Sequence, residues 1–525
     1  MKKRLIYMTA LAATLSLSAC FEDDSQLGSP LGDITIEGIE SSYTKNAYVG
    51  EKLQITPKIE TDYADMDYQW LLLGDETGTI KENGDTIQPT VIGTEKDLNY
   101  EVAIAPGTYQ VRLVAKARSN GYTQYAFTSL TVKTTFSTGF YVLKQTTDGN
   151  TELDMLNNNN ETAHDILTKI DGQPLSGAPQ WMGPVYSMNY VNPDNDEMEN
   201  TSAIIVTSQH GDFTVRRSTD MLEVFNRNNL FYDTMSETEK PYGIFLTAMG
   251  NMNLITSAGL YSTSSAAGFG ASPATGQYGL PVSECGGSAY FYHDISSYGG
   301  GALWDETSHT LYGFDYNAMT TPLTDMMMGG SEFTTAIMTY DCLHCGYNNL
   351  ISMPTGVFIM KDNTDSKRYL YLIDGGFMGQ YLRSRTPLTG HMAAATCYST
   401  NGASANYIYC VDDGRLYAAN FVESDLPEVE LKPQGIPSGE TITFITNQFW
   451  SGYFSGGIAF DYLIIGTQTG NSYKLYFYET NGGAPIGDPI KTMTGEGNVK
   501  CVRFLNTSFD TNDWQFGFHS YNIND

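Results

Sequence analysis

The sequence predicts an all-β protein, with an N-terminal β-sandwich followed by a larger β-propeller. Apolar residues alternate with polar ones between about residues 33 and 136, as in short half-buried strands. From residue 139 to the C-terminus, β-rich runs and tight turns recur as hairpins. The 36 tyrosines and 52 glycines suit many short strands and turns. Helical periodicity is scarce, and residues 161–170 are the best candidate for one short helix.

The first residues have the pattern of an export signal. Three basic residues precede an apolar run from Leu5 to Leu15, which is shorter than the about 20 residues that span a bilayer. Small residues ending at Ala19 then precede Cys20, and this segment resembles a bacterial lipobox. The resemblance implies a signal peptide over residues 1–19 and lipidation of Cys20, with residues 20–32 as a lipidated tether. The alternative is an ordinary signal peptide followed by a chance cysteine.

An acidic cluster, Phe21-Glu22-Asp23-Asp24, follows the cysteine directly. It resembles the signal that sends lipoproteins of the Bacteroidetes to the outer face of the outer membrane. The alternative is a solvated linker. We expect an outer-membrane protein that faces the cell surface and touches the membrane through its lipid anchor only.

Charge and cysteine content exclude some functions. With 59 acidic and 29 basic residues the formal charge is −30, which argues against nucleic-acid binding. Six cysteines remain besides Cys20, and only Cys342 and Cys345 have metal-site spacing. A structural zinc site would need a second such pair. Buried thiols are the favoured interpretation, while disulfides and, less so, metal or redox chemistry stay open.

Two motifs give the N-terminal part a family resemblance. Tyr68-Gln69-Trp70 lies in an alternating apolar run, and Ala105 to Val111 reads Ala-Pro-Gly-Thr-Tyr-Gln-Val. These residues resemble the central tryptophan strand and the "PGTYxV" stretch of a PKD or immunoglobulin-like module. The glycine-rich turn usual after the tryptophan strand is only partly present, at Gly74-Asp75-Glu76. The resemblance implies a PKD/immunoglobulin-like sandwich over residues 33–136.

Seven hairpin turns lead to the propeller hypothesis for residues 139–525. A repeat of about 40–50 residues built from short strands is typical of a β-propeller. The observed spacing is irregular, so seven blades with enlarged loops are expected, and six or eight stay open. Further sandwiches or a jelly roll are the alternatives. The turns lie at Asp148-Gly149, His210-Gly211, Ala258-Gly259, Thr307-Ser308, Asp374-Gly375, Asp413-Gly414 and Thr469-Gly470.

The whole arrangement resembles the PKD-like lipoprotein family of Bacteroidetes, although the specific motifs are confined to the first 135 residues or so. Members of that family are usually encoded beside outer-membrane nutrient importers of the SusC/SusD type. The resemblance implies a non-catalytic cell-surface lipoprotein that assists nutrient capture, of a glycan or a peptide, together with such an importer.

Aromatic residues in loop-like surroundings are the candidate ligand-binding residues. Exposed rings can stack on sugars or anchor peptides. The alternative is packing between blades, which uses the same residue types. The candidates are Trp181, Tyr186, Tyr190, Trp450, Tyr453 and Phe454.

Catalytic motifs are lacking in the sequence. The seven histidines share no motif, and nucleophile, metalloprotease and phosphate-loop patterns are absent. We therefore expect no enzyme and no cofactor; the alternative is a surface glycan- or peptide-hydrolase with a propeller catalytic domain. Asp194, Asp196 and Glu197 could hold Ca²⁺, but a solvated acidic loop is the favoured interpretation.

We predict that Cys20→Ala releases the protein from the membrane fraction, because acyl chains on this cysteine would be its anchor. Membrane fractionation at matched expression measures this, with Cys501→Ala as the control. Retention of the Cys20→Ala protein with membranes would contradict the lipobox interpretation.

Overall fold

The structure is a computed structural model, and it describes most of the chain from residue 32 onward. The Cα positions form two compact units. One contains Leu53–Tyr100, Tyr109–Leu130 and the described residues before Thr44; the other contains Thr44–Lys52, Glu101–Thr108 and everything from Thr131. The described residues are 32–74, 77–78, 80, 86–134, 136–193, 196–233, 235–247, 251–263, 275–293, 300–325, 338–348, 355–376, 379–402, 404–452, 457–506 and 519–521.

Nine strands form the N-terminal region. Their sheets have the orders β2-β9-β8-β5-β6, β1-β4 and β3-β7. The strands are β1 (Ile34–Glu37), β2 (Ser42–Asn46), β3 (Lys52–Ile55), β4 (Lys58–Thr61), β5 (Met66–Leu73), β6 (Thr90–Gly93), β7 (Leu98–Glu101), β8 (Gly107–Ala117) and β9 (Thr123–Lys133).

Trp70 lies at the centre of this region. It is fully buried on β5 and pairs with Leu113 of β8, which is also fully buried. Its indole Nε1 donates to the Glu95 carbonyl oxygen at 3.1 Å, so burial leaves no polar atom of the ring unpaired. The core tryptophan expected of a PKD-like module is therefore in place.

Thirty strands and two short helices follow in the described part of the chain. The first half contains β10 (Thr138–Gln145), β11 (Thr151–Asn157), β12 (Thr162–Ala163), α1 (Ile166–Asp171), β13 (Pro179–Val191), β14 (Met198–Ser208), β15 (Phe213–Arg217), β16 (Glu223–Phe225), β17 (Pro241–Leu246), β18 (Met252–Thr256), β19 (Leu260–Ser262), β20 (Phe291–His293), β21 (Gly301–Asp305), β22 (Thr310–Phe314), β23 (Thr320–Pro322) and β24 (Thr324–Asp325). The second half contains β25 (Tyr340–Asn348), β26 (Thr355–Asp362), β27 (Arg368–Gly376), β28 (Gly379–Pro387), α2 (Gly390–Ala394), β29 (Cys397–Thr400), β30 (Tyr407–Asp412), β31 (Arg415–Asn420), β32 (Glu428–Leu431), β33 (Ile442–Gly452), β34 (Gly457–Thr469), β35 (Ser472–Asn481), β36 (Ala484–Pro485), β37 (Lys491–Glu496), β38 (Asn498–Asn506) and β39 (His519–Tyr521).

These strands form seven sheets. Their orders are β12-β11-β10-β38, β13-β14-β15-β16, β17-β18-β19, β20-β21-β22-β23, β24-β28-β27-β26-β25, β29-β30-β31-β32 and β36-β35-β34-β33-β39, with β37 also paired to β35. The all-β prediction is confirmed. Each predicted turn falls in a different sheet, and six join consecutive strands; Asp374-Gly375 instead lies inside β27. The predicted helix at 161–170 is shorter than expected, because β12 occupies its first turn.

The core lies between neighbouring sheets, so central strands are buried on both faces. Phe358 and Met360 of β26 join a cluster with the β20–β23 sheet. The alternate residues Val357 and Ile359 join a second cluster with the β29–β32 sheet. Such strands read as continuous apolar runs, since neither face meets water.

A buried charged cluster joins the first and last of the seven sheets. Asp154 on β11 is fully buried, and Lys144 on β10 places its Nζ 2.7 Å from one carboxylate oxygen. The Tyr473 hydroxyl on β35 donates to the other oxygen at 2.6 Å, and His164 Nδ1 lies 3.0 Å from that oxygen. Asp165 donates its backbone N–H to Asp154 at 2.8 Å and also pairs with Lys144. All these residues belong to the second unit.

Opposing effects set the pKa of Asp154. Burial disfavours its charged form, but the hydrogen bond with His164 and the charge of Lys144 outweigh burial and lower the pKa. The folded state therefore favours the carboxylate.

In the described part of the chain, no helix has the length and apolarity needed to cross a membrane. The boundary proposed between residues 136 and 139 stays a prediction.

We predict that Asp154→Asn destabilises the protein by about 3 kcal/mol at pH 7, because buried Lys144 loses its buried partner and keeps only the exposed Asp165. A carboxyl group whose pKa is lower in the folded state than in the unfolded state stabilises the fold at pH values above its unfolded-state pKa. This stabilisation is lost as the pH falls. The difference from wild type should therefore shrink below about pH 4. Denaturant unfolding at both pH values measures it.

Asp365→Asn is the control, because Asp365 forms an ion pair with the exposed Lys367 and should change little. Equal stability losses for the two variants would contradict a structural role for Asp154.

Candidate functional site

Helix α1 and the segment after it form one wall of a cavity in the second unit. Buried Glu152 on β11 accepts backbone hydrogen bonds from Leu167 at 2.7 Å and Thr168 at 3.0 Å, which fixes the start of the helix. Backbone hydrogen bonds between Leu175 and Thr151, of 2.9 and 3.0 Å, hold the following segment against β11. The wall is therefore attached to the same strand that carries Asp154.

The cavity has a volume of about 390 Å³. This is within the roughly 300–1,000 Å³ usual for small-molecule sites. Strands β15 and β16 and the turn before β15 form the opposite wall. The lining residues are Leu167, Asp171, Gln173, Pro174, Leu175, Ser176, Asp212, Thr214, Arg216 and Glu223.

Arg216 is the central charged group of the cavity. It is only 3 % exposed, and its Nη1 donates to the Met221 carbonyl oxygen at 2.9 Å. Its Nη2 forms an ion pair with Asp171 and lies 3.7 Å from a Glu223 oxygen. Among the residues described, the Arg216 Nε has no hydrogen-bond partner. A buried donor without a partner costs free energy, which a ligand oxygen would recover.

The carboxylates are held in place as well. Thr214 Oγ1 donates to Glu223 Oε2 at 2.6 Å, and Asn226 Nδ2 donates to its Oε1 at 2.6 Å. Three carboxylates, of Asp171, Asp212 and Glu223, therefore line the cavity with one guanidinium. Leu167, Pro174 and Leu175 add an apolar side. The arrangement offers carboxylate acceptors, a guanidinium donor and an apolar surface to a small polar ligand.

The aromatic residues predicted to bind ligand lie mostly in the interior. Trp181, Tyr186, Tyr190 and Trp450 are at most 8 % exposed. The Trp181 ring packs so close to Gly183 that an added Cβ would lie 2.1 Å from it. Burial favours the packing alternative for these four, because no ring face is open to a ligand. Tyr453 and Phe454 lie outside the described residues, and their role stays a prediction.

Two of the predicted aromatic residues that are far apart in the sequence, Tyr186 and Trp450, lie close together in the structure. The Trp450 ring centroid lies 6.1 Å from that of Tyr186 and 5.8 Å from that of Phe504. These rings belong to β33, β13 and β38, so they pack strands from both ends of the second unit. Tyr190 instead donates its hydroxyl to Glu199 at 2.6 Å.

The structure gives no support to the predicted metal site. No group of three or more His, Cys, Asp or Glu in the described residues could hold a metal ion. Asp196 and Glu197 are exposed, and Asp194 lies outside the described residues, so calcium binding gains no support.

The six described cysteines are free. Burial raises the pKa of Cys285 and Cys397 to about 11 and that of Cys410 to about 12, so these thiols are protonated at neutral pH. Cys20 also lies outside the described residues.

Sequence reasoning missed the cavity. Its charged residues come from a helix end, a turn and two strands, and no local spacing joins them. One indication was available in the sequence. An arginine, Arg216, lies within the strand pattern of residues 213–217, and basic residues are scarce in this chain, which has only 29. A buried strand arginine needs partners.

Comparison with known proteins gives a family match for part of the chain. The model of the PKD-like family matches residues 20–179. No curated protein matches the chain.

Three solved structures illustrate the structural similarity. A quinonprotein alcohol dehydrogenase-like protein from Bacteroides thetaiotaomicron is 14% identical with a TM-score of 0.43, over 88% of this chain and 96% of that one. An auxiliary nutrient binding protein from Bacteroides ovatus is 10% identical with a TM-score of 0.28, over 82% and 95%. Another from B. thetaiotaomicron is 11% identical with a TM-score of 0.27, over 76% and 86%.

Proposed function

We propose that residues 139–525, within the second unit, form a seven-bladed β-propeller. Its seven sheets follow one another along the chain, apart from β38. Neighbouring sheets contact each other at β13–β17, β20–β25, β25–β29 and β29–β33. Strand β38 pairs with β10 and contacts both β13 and β33. Pairing a late strand with the first sheet would close the ring and leave few exposed edges.

We propose that the protein is a non-catalytic cell-surface lipoprotein that captures a nutrient, a glycan or peptide, for import. The observation that carries this proposal is the cavity around buried Arg216. Its unpartnered Nε suits a ligand hydroxyl or carbonyl oxygen, and the carboxylates accept hydrogen bonds from hydroxyl or amino groups. The apolar side contacts the ligand's carbon skeleton. Small saccharides and short peptides carry all three features.

The proposed location and partner rest on the sequence. Lipidation of Cys20 and the acidic residues after it support display on the outer membrane, beside a SusC/SusD-type importer. An anchored protein shares a surface with its partner, so even a weak interface is occupied through high effective concentration. In-cell crosslinking with mass spectrometry tests this. A periplasm-facing protein, or no importer among the crosslinked partners when both are expressed, would refute it.

A surface hydrolase is the second candidate. The observation that favours it is the set of three carboxylates in one cavity, since a pair of carboxylates can act as acid and base. The two functions differ in turnover. If the protein captures the ligand, the ligand is bound and released unchanged. If it is a hydrolase, the wild type forms products, and Asp171→Asn or Glu223→Gln forms none.

We predict that Arg216→Ala weakens ligand binding at least about thirtyfold, because truncating a buried charged partner costs roughly 2–5 kcal/mol. Calorimetry of the mature chain against a panel of oligosaccharides and di- and tripeptides measures binding, and chromatography of the same mixtures measures turnover. Arg217→Ala is the matched control: the next residue on β15, it pairs with Asp220 and is not among the cavity's lining residues.

Equal weakening by both variants, or turnover by the wild type, would contradict capture at this cavity. Thermal melts of all variants separate lost binding from lost folding.

A further inference from the structure

The outer face of the N-terminal five-stranded sheet carries two exposed aromatic rings. Tyr125 and Phe127 lie on β9, two residues apart, and are 50% and 52% exposed. Residues two apart on a strand share a face. Their ring planes are inclined by 27°, with centroids 6.5 Å apart. The core side chains of β9, Leu130 and Val132, belong to the opposite face, so these rings are not needed to fill the sandwich.

Strand register extends the aromatic pair into a row. Leu71 of β5 is paired with Val91 of β6 on one side and with Arg112 of β8 on the other. The Arg112 guanidinium lies 5.3 Å from the centroid of the Phe127 ring. Val91 is 48% exposed. We call Val91, Leu71, Arg112, Phe127 and Tyr125 the aromatic row; it crosses four adjacent strands.

We propose that the aromatic row binds a carbohydrate chain that lies across the strands. Pyranose rings present C–H faces that stack on aromatic rings, and hydroxyl groups that need hydrogen-bond partners. The aromatic row offers both, because Arg112 lies between apolar neighbours. The Arg112 Nε is buried and has no hydrogen-bond partner among the described residues, so it has a donor for a sugar hydroxyl.

The dimensions of the row favour a linear polymer over a folded protein. A stable protein interface buries about 800 Å² per partner and involves roughly 20–30 residues a side. The aromatic row is narrow: on one side the next paired positions on the same face are Gln69 with Val114 and then Asp67 with Lys116, and on the other side Leu73 with Gln110. Gln69, Asp67 and Lys116 are exposed and polar. They flank the row with hydrogen-bonding groups, as suits a hydroxylated chain.

This site is separate from the cavity around Arg216, so each can fail alone. We expect Phe127→Ala and Tyr125→Ala each to weaken glycan binding about tenfold, a typical loss for an aromatic anchor. Affinity electrophoresis of the mature chain in gels that contain laminarin, xyloglucan, galactomannan or arabinogalactan measures retardation by each polysaccharide. Tyr232→Ala is the matched control, since Tyr232 is an equally exposed tyrosine, at 48%, in the second unit.

Three results decide the proposal. Retardation by at least one polysaccharide that Phe127→Ala weakens about tenfold, and that Tyr232→Ala leaves intact, supports it. Retardation by none of the four, or loss in Tyr232→Ala as well, overturns it. A wild type that is dimeric by light scattering and becomes monomeric in Phe127→Ala also overturns it, because the row would then be a protein interface. Tyr125→Trp should retain binding if ring stacking is the interaction.

Discussion

The second unit depends on how Asp154 is neutralised in its interior. An isolated buried carboxylate is costly, and Asp154 is tolerated because Lys144, His164, Tyr473 and the Asp165 backbone all bind it. The partners come from β10, β35 and the loop before α1. The Tyr473 hydrogen bond joins residues 319 positions apart. Removing one partner leaves a buried charge incompletely compensated, so the cluster constrains the first and last sheets together.

Strand β11, which carries Asp154, also links the Asp154 cluster to the cavity. Glu152, two residues before Asp154 on β11, binds the backbone of α1 at Leu167 and Thr168. Burial raises the pKa of Glu152, although the four hydrogen bonds that it accepts lower it in part. Helix α1 ends at Asp171, which pairs with Arg216. The position of the cavity wall thus follows from two buried acids on one strand.

Sequence patterns predicted the positions of strands and turns well, because both depend on local sequence. Gly149, Gly211, Gly414 and Gly470 have positive φ angles, which glycine adopts at little cost, and each marks a turn between strands. Trp70 was recognisable as a core residue by its alternating neighbours. The Asp374-Gly375 turn was wrong because the same residue types continue β27 to its end.

Long-range packing decides the rest, and no local pattern reports it. Trp450 is followed by Ser451 and Gly452 in sequence, as an exposed ring would be, yet it is only 8 % exposed. Gly183 instead gives space to the large Trp181 ring, which lies where a Cβ atom would be. Conversely, Tyr125 and Phe127 have an ordinary strand pattern, and only the structure shows that both rings are about half exposed.

Hydrogen exchange at the start of α1 tests most directly whether the Asp154 cluster positions the cavity wall. Tyr473→Phe removes one hydrogen bond to Asp154 without touching the helix. We expect faster exchange of the Asp165, Leu167 and Thr168 amides in this variant, while amides of β30 and β31 stay protected as in wild type. Unchanged exchange at those three amides in a folded variant would contradict the coupling.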